Sequence, residues 1–481
     1  MTRTILFSKI KQLSIWLDIR FWLLFFFVIR LFGITNAPLE MGHNWRQSLT
    51  NMVARNFLEG RANLFYPVID IAGEKTGIIG TEFPFFNYLI YMVSSVFGYA
   101  HWYGRGINLV VTTIGVYFFY KLIKSLFNER LAFFSAFILC ISVWFGFGRK
   151  MMPDTFSVAL VIIGIYYGYR YLVEAKPVSL IGFFVFCTLG ILCKIPALSL
   201  FSIFGIVAFS KSVPIKRTIL LYSAGTVSFA IVSLWYFYWV PHLVSTYEFE
   251  LYFPRSFSQG LKEVMGLWPQ LIEKFYFVAF SSFIAFATFL GGVFYVVRDR
   301  KKLKMPLFAL GIVSAVFVLF IIKTGLVFPL HSYYVVPFVP VMALVAAYFF
   351  TCIKSRYAYM ILALITIESV ANQHDDMLLK ESEMYKLSLE SIVDKYVPKE
   401  DLIIVNGTPS PQLMYFAHRK GWTEDSEVIR EGDYVNEKVQ KGAKYLLWDL
   451  AKGDLPAAYG KTVYTDEDIA IVKLYQIHEL H

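Results

Sequence analysis

The chain of 481 residues is 57% hydrophobic and 18% aromatic, with a mean hydropathy of +0.55, a composition that excludes a water-soluble protein of this length. Its formal charge of +10 comes from no basic tract with interleaved aromatics in a soluble segment, so no nucleic-acid partner is implied. The class is a polytopic membrane protein. A spanning helix needs about 20 mostly apolar residues, and about eleven such runs follow one another along the chain.

The first run, residues 19–34, leads into a polar loop without a small-x-small cleavage site and is expected to stay in place as a signal anchor. Residues 35–104 form the longest polar interruption among the spans. Their sequence, "TNAPLEMGHNWRQSLTNMVARNFLEG" followed by "TGIIGTEFPFFNYL", is too polar to face lipid and too rich in acid, His and Arg for a tether. Such a loop is expected to build a site against the membrane surface, with "LTNMVARNFLEG" patterned as an amphipathic helix along the interface. The remaining spans are expected at 106–123, 131–148, 155–172, 179–193, 195–210, 218–240, 276–297, 306–323, 334–352 and 357–371. Between the fifth and sixth runs, a charge and a proline in Cys193-Lys194-Ile195-Pro196 predict a turn.

Beyond residue 372 charge rises and strand-like runs enter at "DLIIVNG", "AKYLLWDL" and "DIAIVKLYQI". Between the first two, "SPQLMYFAHRKGW" has helical spacing and ends in a glycine, so a strand, helix, strand order is expected. The expected organisation is an all-α transmembrane domain over 1–371 and a small α/β domain over 372–481. No P-loop and no GxGxxG after a strand occurs, so ATP or a sugar nucleotide is not expected as a direct substrate. Cys140, Cys187, Cys193 and Cys352 lie in or at the edges of predicted spans without metal-ligand spacing and read as packing residues.

Lys and Arg in short loops are retained in the cytoplasm. One alternate set of loops holds Arg3, Lys9 and Lys11; Lys121, Lys124 and Arg130; Lys211, Lys216 and Arg217; Arg298, Arg300, Lys301, Lys302 and Lys304; and Lys354 and Arg356. With that set inside, the long first loop, the loop near 241–275 and the tail are exported. Arg149 and Lys150 then stand on the exported face against the rule. Either they snorkel to the interface, or with Lys194 they hold an anionic lipid head group.

Asp154 follows that basic pair within Pro153-Asp154-Thr155. It is a helix-start carboxylate favoured by the dipole, or an ionised group at the mouth of a site. Glu82 in "GTEFPFFNYL" has the same two roles open to it, since Pro84 would open an interfacial helix. His43, Trp45, Arg46 and Gln47 are the densest polar cluster of the first loop and suit recognition, with His43 either structural or a proton carrier. Arg105 opens the second span, and His331, Tyr333 and Tyr334 precede a late span where an aromatic belt is expected.

The order of these motifs, a long first exported loop, "EFP" before an interfacial helix, "GR" opening the second span, "MMPD" opening the fourth and "HSYYVVPFVP" before the penultimate span, resembles the C-type membrane glycosyltransferases. Within them the chain is similar to the branch of protein O-mannosyltransferases and the lipid A aminoarabinose transferase, over roughly residues 15 to 350. The resemblance implies a polyprenyl-phosphate sugar donor, an active site on the exported side of a bacterial plasma membrane, and inversion at the anomeric carbon. It also implies an acceptor hydroxyl on an envelope glycolipid, glycan or protein, among membrane lipids. Better-known branches carry an Asp or an Asp-Glu pair early in the first loop, where this chain has Arg46-Gln47. Glu82, Asp154, Glu40 and His43 are therefore the catalytic candidates. Arg46, Gln47, Arg105, Arg149, Lys150, Lys194, His331, Tyr333 and Tyr334 are the substrate-binding candidates. No cofactor is required, although a divalent cation at Glu82 or Asp154 is compatible with the pattern. The rival class is a transporter or lipid flippase, which would place charges near the bilayer midplane and show internal repeats.

Overall fold

The computed structural model describes residues 15–209, 212–249, 255–456 and 459–475. Arg3, Lys9, Lys11 and Lys211 of the cytoplasmic set lie outside the described residues, as do Ser210 at the end of the sixth run and Gln476 and Ile477 at the end of the last strand-like run. In chain order the helices used below are α1 (Ile19–Arg30), α2 (Asn44–Glu59), α3 (Phe85–Phe97), α4 (Tyr103–Leu126), α5 (Glu129–Ile141), α6 (Pro153–Glu174), α7 (Pro177–Cys193), α8 (Lys304–Thr324), α9 (Ser355–Ala371), α10 (Lys386–Tyr396) and α11 (Gln412–Ala417). Two compact units result. The first joins the chain up to Ile34 with Arg105–Phe237 and Tyr252–Met377; the second joins Thr35–Gly104, Tyr238–Leu251 and the chain from Leu378.

The helical unit follows the apolar runs of the sequence. Among the described residues five helices are long and apolar enough to cross a membrane: α4, α6, Ile215–Tyr247, α8 and Ser332–Cys352. A sixth is added if Trp268–Val278 and Phe283–Arg298, bent by 93°, form one span. The other runs are helical but shorter. Asp18 starts α1 by accepting from Arg20 N, and the helix lasts 12 residues. Extended backbone at Ser142 stops α5 after 13 residues, while α7 and α9 reach 17 each. The 195–210 run is a mixture of 3₁₀ and α turns that starts after the expected break at Lys194.

Helix α6 is the central strut of this unit, buried along most of its length. Small residues let its neighbours approach closely, as is common where membrane helices pack without a hydrophobic driving force. A β-carbon on Gly115 of α4 would lie 2.6 Å from Ala159 Cβ, and one on Gly190 of α7 would lie 2.8 Å from the Ser157 carbonyl oxygen. Across the α6–α7 contact Ser157 Oγ donates to Gly190 O at 2.7 Å and to Lys194 O at 3.3 Å, setting the register of the two helices.

The second unit is built on a five-stranded sheet, β1 (Leu402–Val405), β2 (Gly421–Thr423), β3 (Ala443–Asp449), β4 (Gly460–Thr465) and β5 (Ile469–Leu474), in the order β2-β1-β3-β5-β4. β1 runs parallel to β2 and β3, while β5 is antiparallel to β3 and β4. Strand periodicity divides its side chains between two cores. Ile403, Val405, Leu447 and Ile471 face Leu49, Met52, Val53 and Phe57 of α2 together with Leu389 and Val393 of α10. Ile404, Leu446, Trp448 and Val472 face Ile429 and Val435. The first polar loop and the tail therefore share one hydrophobic core, and α2 covers a sheet face instead of presenting an apolar stripe to solvent. Gly73 shows how closely the loop and tail fit: at φ +59° it donates its N–H to Gly421 O at 2.7 Å, and a β-carbon there would overlap the Trp422 indole.

Candidate functional site

In the sheet-bearing unit the polar cluster of the first loop becomes the first turn of α2. His43 precedes the helix in left-handed backbone at φ 63°, and its carbonyl accepts Gln47 N at 3.1 Å. That turn puts the buried Arg46 guanidinium in an ion pair with Glu82, the acid just before α3. Thr81 Oγ1 donates to the second Glu82 oxygen at 3.0 Å. Glu82 keeps about a fifth of its side chain exposed, so the pair is sheltered but reachable. Gln47 is buried and donates to Gly42 O at 3.4 Å. Glu40 is buried in a short antiparallel bridge to Leu379. The structure thus joins a binding candidate, Arg46, to a catalytic candidate, Glu82. Glu40 and His43 are framed by backbone pairing at the entrance to α2.

In the helical unit a second set assembles. Pro153 at the first position and Asp154 in the first turn begin α6, the sequence pattern of a helix start. Asp154 also faces Lys194, whose Nζ lies 3.7 Å from Asp154 Oδ1, held there by the Ser157–Gly190 register. The same ammonium sits 5.7 Å from the Tyr333 ring centroid and 5.9 Å from that of Tyr334, within cation–π range. His331 stacks on Tyr333 at 5.2 Å, so Asp154, Lys194, Tyr333, Tyr334 and His331, far apart in sequence, form one chain of contacts. Asp154 Oδ2 is buried without a hydrogen-bond partner among the described residues.

The basic pair divides its duties. Arg149 is fully buried and donates from Nη2 to Phe32 O at 2.8 Å. Lys150 is also fully buried and pairs with Asp376 at 2.8 Å, so it does not snorkel in this fold. The loop carrying them is clamped by Asn108 of α4, which donates to the carbonyls of Phe147, Lys150 and Met152 at 2.8–3.3 Å. Arg105, one turn earlier on α4, is buried as well.

Sequence inspection passed over a third cluster, again in the sheet-bearing unit. Asn51, Arg55 and Glu59 recur every fourth residue and line one stripe of α2. Asn51 meets the Tyr415 hydroxyl at 3.2 Å, Arg55 meets Glu390 at 2.5 Å, and Glu59 meets His418 at 2.8 Å. The i, i+4, i+8 spacing of polar groups on a helix otherwise packed in a core was the available signal.

Glu82 is paired with Arg46 and Asp154 with Lys194. Among the described residues no group of three or more His, Cys, Asp or Glu is placed to hold a metal ion.

Residues 81–238 match the family model described as dolichyl-phosphate-mannose-protein mannosyltransferase. Two solved structures extend the likeness to nearly the whole chain. ArnT from Cupriavidus metallidurans bound to undecaprenyl phosphate superposes with a TM-score of 0.59 at 13% identity, over 94% of this chain and 97% of that one. The chain has the fold of a C-type membrane glycosyltransferase. The archaeal oligosaccharyltransferase AglB from Archaeoglobus fulgidus, in complex with an inhibitory peptide and a dolichol-phosphate, shares that C-type fold. It gives a TM-score of 0.57 at 12% identity, over 94% of this chain and 74% of that one. A further structure of the Archaeoglobus enzyme, a complex with Zn and sulfate, gives 0.54 at 11% identity, over 94% and 73%. Comparison with curated proteins finds no match.

Proposed function

We propose that the protein is an integral-membrane glycosyltransferase that moves a sugar from a polyprenyl-phosphate donor to an acceptor hydroxyl of an envelope glycolipid, glycan or protein. One observation carries the proposal: the family match over 81–238 spans Glu82, Arg105, Arg149, Lys150, Asp154 and Lys194 in a single stretch. Solved relatives of the same fold hold undecaprenyl phosphate or dolichol-phosphate, which supports a donor of that class.

In this mechanism Lys194, backed by Asp154 and seated against Tyr333 and Tyr334, stabilises the phosphate as it leaves with developing negative charge. Preorganised cations in a site shielded from water act most strongly on such charge. Arg149 and Arg105 add positive potential, whereas Lys150, already neutralised by Asp376, orders the loop. Glu82, oriented by Arg46 and Thr81, accepts the proton of the acceptor hydroxyl. Attack on the face opposite the leaving phosphate inverts the anomeric carbon. General-base assistance of this type contributes ~10²–10⁴-fold. The chemistry takes place on the exported face of a bacterial plasma membrane. There 1–371 supplies the membrane-borne transferase, with 35–104 as its first exported loop, and 372–481 completes the exported part.

The test is transfer from synthetic polyprenyl-phosphate sugars by the purified protein in lipid discs, with product stereochemistry read by NMR. Turnover that falls on Lys194→Gln with a raised donor KM is the expected result. Failure to consume any such donor, in protein that is folded and monodisperse, would sink the proposal.

A further inference from the structure

The tail grips α2 along its length. Trp45 Nε1 donates to Pro409 O at 3.0 Å, Asn51 Nδ2 to the Tyr415 hydroxyl at 3.2 Å, Arg55 forks onto Glu390, and Glu59 meets His418. The last two contacts form a closed ring of charge. Arg55 donates to both Glu390 oxygens, at 2.9 and 2.5 Å, and through Nε to Glu59 at 2.9 Å. His418 lies 2.8 Å from Glu390 through Nδ1 and 2.8 Å from Glu59 through Nε2. A neutral imidazole owns a single N–H and would turn a lone pair on the second carboxylate, so this geometry calls for the doubly protonated ring. His418 also ends α11 in left-handed backbone at φ 48°, a conformation side-chain-bearing residues rarely adopt. Such strain persists where the surroundings over-determine it, as the two carboxylates do here.

We propose that His418 and Glu390 are positioning residues for sugar transfer: their charge ring locks α2 in place, and α2 in turn holds Arg46 against Glu82. The helix is a rigid lever, 16 residues or about 24 Å long, with the ring at its carboxyl end and Arg46 in its first turn. The catalytic half of this inference rests on the transferase proposal, whereas the mechanical half does not.

The groups facing His418 are Arg55 and Glu59 on α2, Glu390 on α10, and Asp70 on the segment before α3. Asp394 on α10 is occupied by Arg419 at 2.7 Å, Lys420 follows in the chain, and Tyr99 and Tyr415 lie beyond Arg55. Burial works against charging His418, but hydrogen bonds to Glu390 and Glu59 outweigh it and Arg55 opposes them only in part, so its pKa is raised above 6.5. Burial likewise opposes ionisation of Glu59, and His418 and Arg55 nevertheless draw it down to about 2. Above the raised His418 value the ring loses a proton and one contact becomes repulsive.

The experiment uses the full-length protein in lipid discs, comparing wild type, His418→Gln and His418→Lys. Hydrogen exchange of the α2 amides, corrected for intrinsic pH dependence, is followed beside transfer from an undecaprenyl-phosphate sugar between pH 5 and 9. Expected in His418→Gln are α2 exchange faster by about 10-fold or more and kcat lower by about 10-fold or more, with the donor KM unchanged. Wild type should show the same two changes as pH rises, and His418→Lys should resist both. If His418→Gln does not fold, Glu390→Gln carries the same measurements. Wild-type exchange and kcat in a folded ring variant overturn the inference, as does an alkaline loss that His418→Lys shares. Absence of transfer by wild type at every pH removes the transferase proposal instead, and the exchange data still decide whether the ring holds α2.

Discussion

Glu82 pairs with Arg46 and Asp154 with Lys194, and these different partners make the two acids separable by experiment. Glu82→Gln and Asp154→Asn keep shape and most hydrogen bonds while deleting charge. Each should lower transfer by ~10²-fold or more in folded protein, as expected of groups acting mainly in the transition state. A helix-start role alone for Asp154 would show instead as a stability loss of about 1 kcal/mol with turnover intact. Arg46→Gln tests the partner. Losing a charged hydrogen bond of this sheltered kind costs about 1.5–3 kcal/mol. If Arg46 orients Glu82, kcat should fall further than thermal stability accounts for, and a parallel loss of both would leave Arg46 a structural residue.

Among the elements, the α6–α7 contact decides where Lys194 sits. Gly190 has the Ser157 carbonyl and Val161 where a side chain would go, so Gly190→Val must push α7 away from α6. That shift breaks the Ser157–Gly190 hydrogen bond and carries Lys194 off Asp154 and the two tyrosines. The variant should raise the donor KM at least as much as Lys194→Gln does, and an unchanged KM would place the phosphate elsewhere. In the other unit the charge ring sets a pH window. Because His418 is raised, its stabilisation is whole below pH 6.5 and fades as pH climbs through the raised value. Glu59 is lowered to about 2 and Glu390 lies below its ordinary value as well, burial opposing and His418 and Arg55 prevailing at both. Their stabilisation is whole above pH 4.5 and fades in stronger acid. Thermal melts comparing wild type with His418→Gln should therefore show the ring's contribution to the sheet-bearing unit greatest between about pH 4.5 and 6.5. His418→Gln should flatten the alkaline side of that profile.

For the whole molecule, the shared core of the first loop and the tail predicts mutual dependence. Truncation after Met377 removes the sheet face that covers Leu49, Met52, Val53 and Phe57. Limited proteolysis should then cut within 35–104 at protease levels the full chain resists, and continued resistance would show that the loop folds without the tail. A carboxyl-terminal reporter should be active only outside the cytoplasm, and one at Arg298–Lys304 only inside. The reverse result would invert the proposed topology.

The sequence by itself determined the membrane class, the positions of the apolar helices and three strands of the tail, because each is written in local composition and periodicity; between the first two of those strands it offered one helix, where the fold has three helices and the further strand β2. "DLIIVNG", "AKYLLWDL" and the described part of "DIAIVKLYQI" became β1, β3 and β5, and the break at Lys194-Ile195-Pro196 stands where a charge and a proline put it. Local signals were weaker where neighbours decide. The short β2 and the half-exposed β4 carry too little alternation to be seen alone, and α11 stops at His418, not at the glycine that follows, because two carboxylates hold the imidazole there. Helix lengths within the apolar runs also depended on caps such as Ser142 and on the 93° bend after Val278, which local composition does not set. Pairing was decided only in three dimensions. Nothing in chain order couples Arg46 to Glu82, Asp154 to Lys194, or Arg55 to Glu390, since each partner lies dozens to hundreds of residues away. Hydrophobicity is a property of a residue and its near neighbours, whereas an ion pair is a property of two surfaces that meet only after the chain has folded.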